Sequence, residues 1–132
     1  MGNFTLPLAQ RFRRVLATEL NKRATAAATH NAAANSIHNL ELARLSAAEM
    51  SQAMAGDRLF RRLSALKEPL DSFAFKTLLV DPPRAGLDID TLGLAKGFDR
   101  ILYISCNPKT LSENLTALSE THSIETLAFF DQ

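Results

Sequence analysis

The feature that most constrains the fold of this chain is the alternation of helix-like with strand-like segments. Runs typical of strands lie at residues 14–19, 40–45, 75–80, 101–105 and 124–130. Runs typical of helices lie at residues 5–11, 22–35, 46–54, 89–96 and from 107 onwards. Residues 56–72 form a connecting segment with at most a short helix at 59–66. Because strands that alternate with helices pair in parallel, the sequence predicts an α/β fold with a parallel sheet.

Local signals place several helix ends. Ser46 and Glu49 have the spacing of a capping box, which opens a helix. Asn107 followed by Pro108 predicts the start of the last helix, since proline is tolerated in a first turn. Asn35 tolerates the left-handed conformation that follows many helices, so the alanine-rich helix is expected to end there. One apolar face is predicted for the last helix, formed by Leu111, Leu115 and Leu118.

The composition bounds the class of protein. The 132 residues are 46% hydrophobic and 22% charged, which fits at most one globular domain. Apolar runs are too short to cross a bilayer and the start lacks a signal-peptide layout, so we expect a cytoplasmic protein. A net charge of +1 gives no strong footprint for a polyanion. The densest basic cluster is better explained as a solvated surface than as a phosphate contact: Arg58, Arg61, Arg62 and Lys67.

The chain contains a single cysteine, Cys106. One cysteine can form neither an internal disulfide nor a thiolate zinc site, so Cys106 is either a small buried hydrophobe or a reactive thiol. The three histidines, His30, His38 and His122, have no metal-ligand spacing, and we expect no metal.

Ligands of open parallel sheets bind beyond the carboxyl ends of the strands, so the residues after each strand are the candidates for chemistry. Glu19 ends the first strand and lies 16 positions after Asn3. This spacing resembles the loop-then-acid pattern by which nucleotide-binding sheets hold ribose hydroxyls. The alternative is an acid favoured by the positive end of the next helix, and this alternative is preferred if Glu19 is taken alone.

Asp81, Pro82, Pro83 and Arg84 follow the third strand. Two consecutive prolines remove two backbone donors and fix the chain, which leaves Asp81 free to face a ligand. Its carboxylate could accept a hydrogen bond from a pyrimidine N–H or from a cofactor, while Arg84 could offset charge on the ring. The alternative is a rigid turn with an Asp81–Arg84 surface ion pair.

Cys106 lies between a predicted strand and the start of a helix, where free backbone N–H groups favour the thiolate. A lone cysteine near a strand end is more often a packing residue. The combination with Asp81 and Glu19 favours the reactive thiol.

Two motifs resemble those of the RNA (uracil-5-)-methyltransferase family: VDPPRAGL at residues 80–87 and ISCNPKTL at residues 104–111. The opening GNFT at residues 2–5 is similar to the tail of that family's cofactor loop. The sequence LAFFDQ at residues 127–132 is similar to the bacterial tRNA branch rather than the ribosomal-RNA branch. The resemblance spans the whole chain.

The resemblance implies a Rossmann-like, S-adenosylmethionine-dependent methyltransferase sheet, with residues 1–132 as a partial catalytic domain. It implies that Asn3, Glu19 and Asp81 contact S-adenosylmethionine and that Cys106 is the nucleophile. The implied substrate is tRNA, at the T-arm uridine that becomes ribothymidine. The chemistry agrees, because uracil C5 accepts a methyl group only after a thiolate adds to C6 and makes the ring electron-rich.

Compared with the family, the chain lacks the first strand, most of the glycine-containing loop and the C-terminal strand. The family's proton-abstracting glutamate follows the segment that matches residues 129–132, and Glu113, Glu120 and Glu125 do not match it. We therefore expect a truncated sheet, no turnover by this chain alone, and unpaired strand edges that promote self-association.

Three alternatives stay open at this stage. The first is a uracil-C5 methyltransferase of 23S ribosomal RNA, and the second is methylation of an exocyclic base nitrogen. The third is a non-catalytic remnant of a methyltransferase. Methylation of an amine needs no thiol adduct, so a covalent adduct at Cys106 would exclude the second alternative.

Overall fold

The computed structural model describes residues 3–130, and the chain divides into two compact units, Met1–Ala74 and Phe75–Gln132. They are called the N-terminal unit and the C-terminal unit. Each contains helices and one pair of parallel strands, which confirms the predicted mixed α/β class with parallel strands. A single partial catalytic domain over residues 1–132 stays a prediction. Among the helices of the described residues, none combines the length and apolar character that crossing a membrane requires.

The N-terminal unit begins with three helices and two strands in alternation. Their bounds are α1 Thr5–Ala9, β1 Val15–Thr18, α2 Lys22–Ala34, β2 Leu40–Ala43 and α3 Ala47–Ala55. Two short 3-10 helices follow at Arg61–Ala65 and Leu70–Phe73. Strands β1 and β2 pair in parallel, with Val15 opposite Leu40 and Thr18 opposite Ala43. The predicted short helix at 59–66 is therefore a 3-10 helix, and the second one was not predicted.

Helix α2 is capped by the side chain of Asn21, which accepts hydrogen bonds from the N–H groups of Arg23 and Ala24. Its buried face consists of alanines spaced four residues apart: Ala24, Ala28 and Ala32. The left-handed residue after the helix is Ser36, with φ of 56°, and Asn35 has φ of −101°. The sequence placed the helix end correctly but assigned the left-handed conformation one residue too early.

The predicted capping box of α3 is confirmed. The hydroxyl of Ser46 accepts a hydrogen bond from the N–H of Glu49 at 3.1 Å, and the Glu49 carboxylate accepts one from the N–H of Ser46 at 2.9 Å. Arg62 forms an ion pair with the same carboxylate. The hydrogen bond from the Ser46 backbone, with help from Arg62, lowers the pKa of Glu49 below its usual 4.5.

The core of the N-terminal unit gathers around the end of β2 and the start of α3. Ala43, Leu45, Met50 and Phe60 are buried, and Leu45 is 1% exposed. Partly buried apolar side chains pack around them: Leu16, Ala53, Met54, Leu63, Leu66 and Leu70. Burial of each large apolar side chain stabilises the fold by about 1.5–3 kcal/mol. The connecting segment therefore packs on the unit through Phe60 and three of its leucines, Leu63, Leu66 and Leu70.

The C-terminal unit consists of β3 Thr77–Val80, α4 Ile89–Ala95, β4 Arg100–Tyr103 and α5 Pro108–Leu118. Strands β3 and β4 pair in parallel, with Thr77 opposite Arg100 and Val80 opposite Tyr103. The ladder continues as the N–H of Ile104 donates to the carbonyl of Val80 at 2.9 Å. The carboxyl ends of the two strands therefore lie side by side.

Two predictions for the C-terminal unit are wrong. Residues 124–130 form no strand, and Phe129 and Phe130 are 83% and 85% exposed. Apolar and aromatic residues give a segment strand propensity, but a strand exists only where another strand accepts its hydrogen bonds. Strand β4 is not a buried strand either, since Leu102 is 43% exposed. A strand of a two-stranded sheet is covered less completely than the inner strands of a large sheet.

Candidate active site

Two loops leave the same end of the β3–β4 sheet. The proline turn, residues 81–86, follows β3, and the cysteine loop, residues 104–107, follows β4. Because β3 and β4 are parallel neighbours whose last residues are paired, both loops begin at one edge. The structure thus brings the loops that carry Asp81, Arg84 and Cys106 to one end of the C-terminal unit.

The proline turn is closed by a hydrogen bond from the N–H of Gly86 to the carbonyl of Pro83 at 2.9 Å. Gly86 has φ of 81°, a backbone conformation that residues with a Cβ rarely adopt. The side chains of Asp81 and Arg84 are exposed and form no ion pair with each other. The alternative of an Asp81–Arg84 surface pair is therefore wrong.

The cysteine loop presents its thiol to solvent. Cys106 is exposed, so the alternative of a buried packing cysteine is wrong. A hydrogen bond closes the loop across Cys106, because the hydroxyl oxygen of Ser105 accepts from the N–H of Asn107 at 3.1 Å. Asn107 then caps α5 by accepting a hydrogen bond from the N–H of Lys109 at 3.2 Å. The thiol therefore lies on a short turn directly before the start of a helix, as the sequence predicted.

The two loops are tied together through the backbone of Arg84. Its carbonyl accepts hydrogen bonds from the side-chain amide of Asn107 at 2.8 Å and from the hydroxyl of Thr110 at 3.1 Å. These bonds fix the main chain of Arg84 and leave its guanidinium unengaged among the described residues. Because the backbone of Arg84 is already ordered next to the cysteine loop, a ligand that binds its guanidinium does not have to pay for ordering this part of the main chain.

A second connection runs through Asn114 of α5, which is buried. Its side-chain oxygen accepts hydrogen bonds from the N–H of Leu87 at 2.8 Å and from the hydroxyl of Tyr103 at 2.6 Å. Burial raises the pKa of Tyr103, and the N–H of Leu87 acts in the opposite direction.

Sequence reasoning missed Thr110, Asn114 and Tyr103 as members of the site. Asn107, Thr110 and Asn114 are spaced three and four residues apart, so they line one face of α5. A stripe of polar residues on a helix that directly follows the proposed nucleophile is the signal that could have revealed them.

Glu19 and Asn3 belong to the N-terminal unit. Glu19 lies at the end of β1, half-buried, and its N–H donates to the carbonyl of Ala43 at 3.1 Å. One carboxylate oxygen, Oε1, accepts from the N–H of Asn21 at 2.8 Å. Asn3 is exposed in the turn before α1. The motif positions Gly2, Asp131 and Gln132 lie outside the described residues.

Comparison with known proteins identifies the family. The family model described as tRNA (Uracil-5-)-methyltransferase matches residues 1–132. The chain belongs to the tRNA (uracil-5-)-methyltransferase family. It is 58% identical to the tRNA/tmRNA (uracil-C(5))-methyltransferase of Acinetobacter baylyi, and 55% and 54% identical to the proteins of that name from Vibrio vulnificus and Neisseria meningitidis.

Each of these alignments covers 99% of this chain but only 36% of the relative. The chain therefore spans about a third of the length of the tRNA (uracil-5-)-methyltransferases that it matches. The resemblance seen in the two motifs is confirmed.

Proposed function

We propose that this chain carries the nucleophile for S-adenosylmethionine-dependent C5-methylation of uridine in tRNA, at the T-arm position that becomes ribothymidine. The observation that supports the proposal is the exposed Cys106, on a loop tied to the turn that carries Asp81 and Arg84. The relatives are named as tRNA/tmRNA (uracil-C(5))-methyltransferases, which favours tRNA over ribosomal RNA.

The role of Cys106 follows from the chemistry of uracil. Its thiolate adds to C6, a sulfur–carbon bond forms, and the electron pair of the C5–C6 double bond moves into an enolate with nucleophilic character at C5. S-adenosylmethionine, when bound, would supply the electrophilic methyl group that C5 receives and would leave as S-adenosylhomocysteine. A base then removes the C5 proton, the double bond returns and the thiolate is expelled. The target base has to leave its RNA stack to reach an exposed thiol.

Asp81 and Arg84 would act on the pyrimidine ring. Enolate formation places negative charge on the ring, and the Arg84 guanidinium can offset it. The Asp81 carboxylate can accept a hydrogen bond from the ring N–H or from the cofactor. Both side chains are exposed beyond the end of β3, where such contacts are possible.

For the cofactor, we propose contacts from Asn3, Glu19 and Asp81. The donor set fits the group, since carboxylates readily accept hydrogen bonds from ribose hydroxyls. Glu19 uses its Oε1 for the N–H of Asn21, and a carboxylate oxygen has more than one acceptor site. The alternative, an acid that only favours the start of α2, predicts no loss of cofactor binding in Glu19→Gln.

We further propose that the strands belong to a Rossmann-like methyltransferase sheet that is incomplete in this chain. Two units of strand, helix and parallel strand support this: β1–α2–β2 and β3–α4–β4. Family membership supports it as well. In a tRNA-modifying enzyme of this kind we expect a cytoplasmic location.

A T-arm RNA that contains 5-fluorouridine tests the assignment of Cys106. The reaction includes S-adenosylmethionine, because C5 then carries both fluorine and the transferred methyl group and no C5 proton is left to remove. The thioether should therefore persist and be found by mass spectrometry on the peptide that contains Cys106. Cys106→Ser should give no adduct, whereas Ser112→Ala, an exposed change on α5, should react like the natural chain. The proposal fails if the natural chain forms no adduct although iodoacetamide alkylates Cys106 readily.

The same RNA with ordinary uridine tests turnover. Because the chain spans 36% of its relatives, we expect at most one adduct per chain and no multiple turnover. Multiple rounds of methylation from labelled S-adenosylmethionine would contradict this. Direct competition between tRNA and 23S ribosomal RNA fragments separates the two RNA targets, and calorimetry with S-adenosylmethionine separates a binding domain from a remnant.

A further inference from the structure

Asn114 links the elements that carry the two loops of the candidate active site. Its Oδ1 accepts from the N–H of Leu87, which immediately follows the proline turn, and from the hydroxyl of Tyr103, the last residue of β4. Asn114 itself lies in α5, the helix that follows Cys106. One oxygen of a buried α5 side chain therefore binds the residue after the proline turn and the residue before the cysteine loop.

We propose that Asn114 is a positioning residue that holds the proline turn, with Asp81 and Arg84, at a fixed distance from the Cys106 loop. This inference rests on the proposed function and adds a residue that neither binds the base nor reacts with it. Asn114 is 8% exposed, so its side chain acts through Leu87 and Tyr103.

The hydrogen bonds are of the kind that fix geometry. Both donors approach one oxygen at ordinary hydrogen-bond distances, and a buried N–H or hydroxyl that loses its acceptor costs about 1–3 kcal/mol. Gly86 adds a steric limit, because a Cβ at this position would lie 2.7 Å from the same oxygen. The turn therefore lies too close to α5 to accept a side chain at position 86, and it cannot move away from α5 without losing the hydrogen bond from the N–H of Leu87 to Asn114.

Addition of a thiolate to C6 depends strongly on this kind of alignment. The ring must lie against Asp81 and Arg84 while its C6 meets the thiol, and a misplacement of about 1 Å costs up to about 100-fold in rate. Alkylation by iodoacetamide needs only an accessible thiol. Loss of positioning should therefore slow adduct formation with RNA and leave simple alkylation unchanged.

Four variants separate positioning from folding. Asn114→Leu removes the acceptor, and Asn114→Asp keeps an oxygen for both donors. Tyr103→Phe removes one donor and is the milder change if Asn114→Leu fails to fold. Thr116→Val is the matched control, because Thr116 is exposed on α5 and its hydroxyl donates, within the part of the chain that the structure describes, only to the carbonyl of Ser112 in the same helix.

The first measurement is the rate of adduct formation with 5-fluorouridine RNA at increasing RNA concentration and a fixed, saturating concentration of S-adenosylmethionine. For Asn114→Leu we expect the maximal rate to fall by about 10- to 100-fold with an unchanged half-saturating concentration. Asn114→Asp should recover most of the rate, and Tyr103→Phe should fall between. The rate of Cys106 alkylation by iodoacetamide should change by less than about twofold in all of these variants, because alkylation needs only an exposed thiol. An unchanged maximal rate in folded Asn114→Leu overturns the proposal.

The second measurement does not depend on RNA. Tyr103 is the only tyrosine and the chain has no tryptophan, so its absorbance titration can be followed directly. Its pKa should rise in Asn114→Asp, because a carboxylate within hydrogen-bond distance repels the phenolate. If the natural chain forms no adduct, the proposed function fails. The titration then decides the role of Asn114 alone: a raised Tyr103 pKa in Asn114→Asp supports the contact between the two side chains, and identical titrations overturn it.

Discussion

The backbone carbonyl of Arg84 accepts a hydrogen bond from the side-chain amide of Asn107 at 2.8 Å. The other end of the same amide, Oδ1, accepts from the N–H of Lys109 and begins α5. One side chain thus starts the helix that follows Cys106 and holds the turn that carries Arg84. Because its donor and acceptor have separate tasks, substitution can remove one without the other.

Asn107 is the first test of this arrangement. Asn107→Asp keeps the capping oxygen but loses the donor to Arg84, whereas Asn107→Ala loses both. We expect Asn107→Ala to lower the free energy of unfolding by about 1 kcal/mol, the usual value of a helix cap. Asn107→Asp should lose less. Both should slow adduct formation with 5-fluorouridine RNA by about 10-fold or more, through the displaced turn.

Urea unfolding and adduct kinetics measure the two effects separately. An Asn107→Asp protein that forms the adduct at the natural rate would show that the bond to Arg84 does not position the turn.

Two glycines of the C-terminal unit predict opposite effects of one substitution. Gly86→Ala puts a Cβ 2.7 Å from the Asn114 oxygen at a backbone φ of 81°, so we expect a loss of about 1–3 kcal/mol in stability. Gly93 lies inside α4 with nothing within 4 Å of an added Cβ, so Gly93→Ala should stabilise by up to about 1 kcal/mol. Urea unfolding followed by Tyr103 fluorescence measures both. Equal shifts of the same sign would contradict the contact with Asn114.

The stability of the N-terminal unit should fall at acid pH because of the lowered pKa of Glu49. Its folded pKa lies below its usual value, mainly because of the hydrogen bond from the Ser46 backbone. Such a carboxylate stabilises the fold above its unfolded pKa, and the stabilisation is lost as the pH falls through the folded pKa. Helix content and urea midpoints between pH 7 and about pH 3 should therefore fall more steeply in the natural chain than in Glu49→Gln.

Glu120, whose pKa is also lowered, by Lys96, contributes equally to both proteins and cancels in the comparison. Parallel pH profiles for the natural chain and Glu49→Gln would refute the assignment.

Residues 124–130 predict self-association. Phe129 and Phe130 are exposed, and a segment of apolar residues without a ladder partner can pair with another chain. We expect the sedimentation coefficient to rise with concentration and the rise to diminish in Phe129→Ser with Phe130→Ser. Leu59→Ser is the control, because Leu59 is 98% exposed and belongs to the N-terminal unit. A natural chain that sediments as a monomer at all concentrations would contradict the prediction.

The local structure was largely predictable from short-range signals. The Ser46–Glu49 capping box and the start of α5 at Pro108 both depend on residues within one helical turn, and the structure has them. The segment 124–130 was predicted wrongly for the converse reason. Its propensity was visible, but whether another strand pairs with it depends on the rest of the chain.

The candidate site was predictable in its chemical groups but not in its connections. The order of residues places Asp81 directly after one strand and Cys106 directly after another. The prolines that follow Asp81 and the helix cap that follows Cys106 end the two strands at these points. Only the tertiary structure decided that the two strands pair in parallel, that the thiol is exposed, and that Arg84 and Leu87 bond to Asn107 and Asn114. Hydrogen bonds between residues more than 20 positions apart exist only after the sheet has brought their elements together, and no local pattern encodes them.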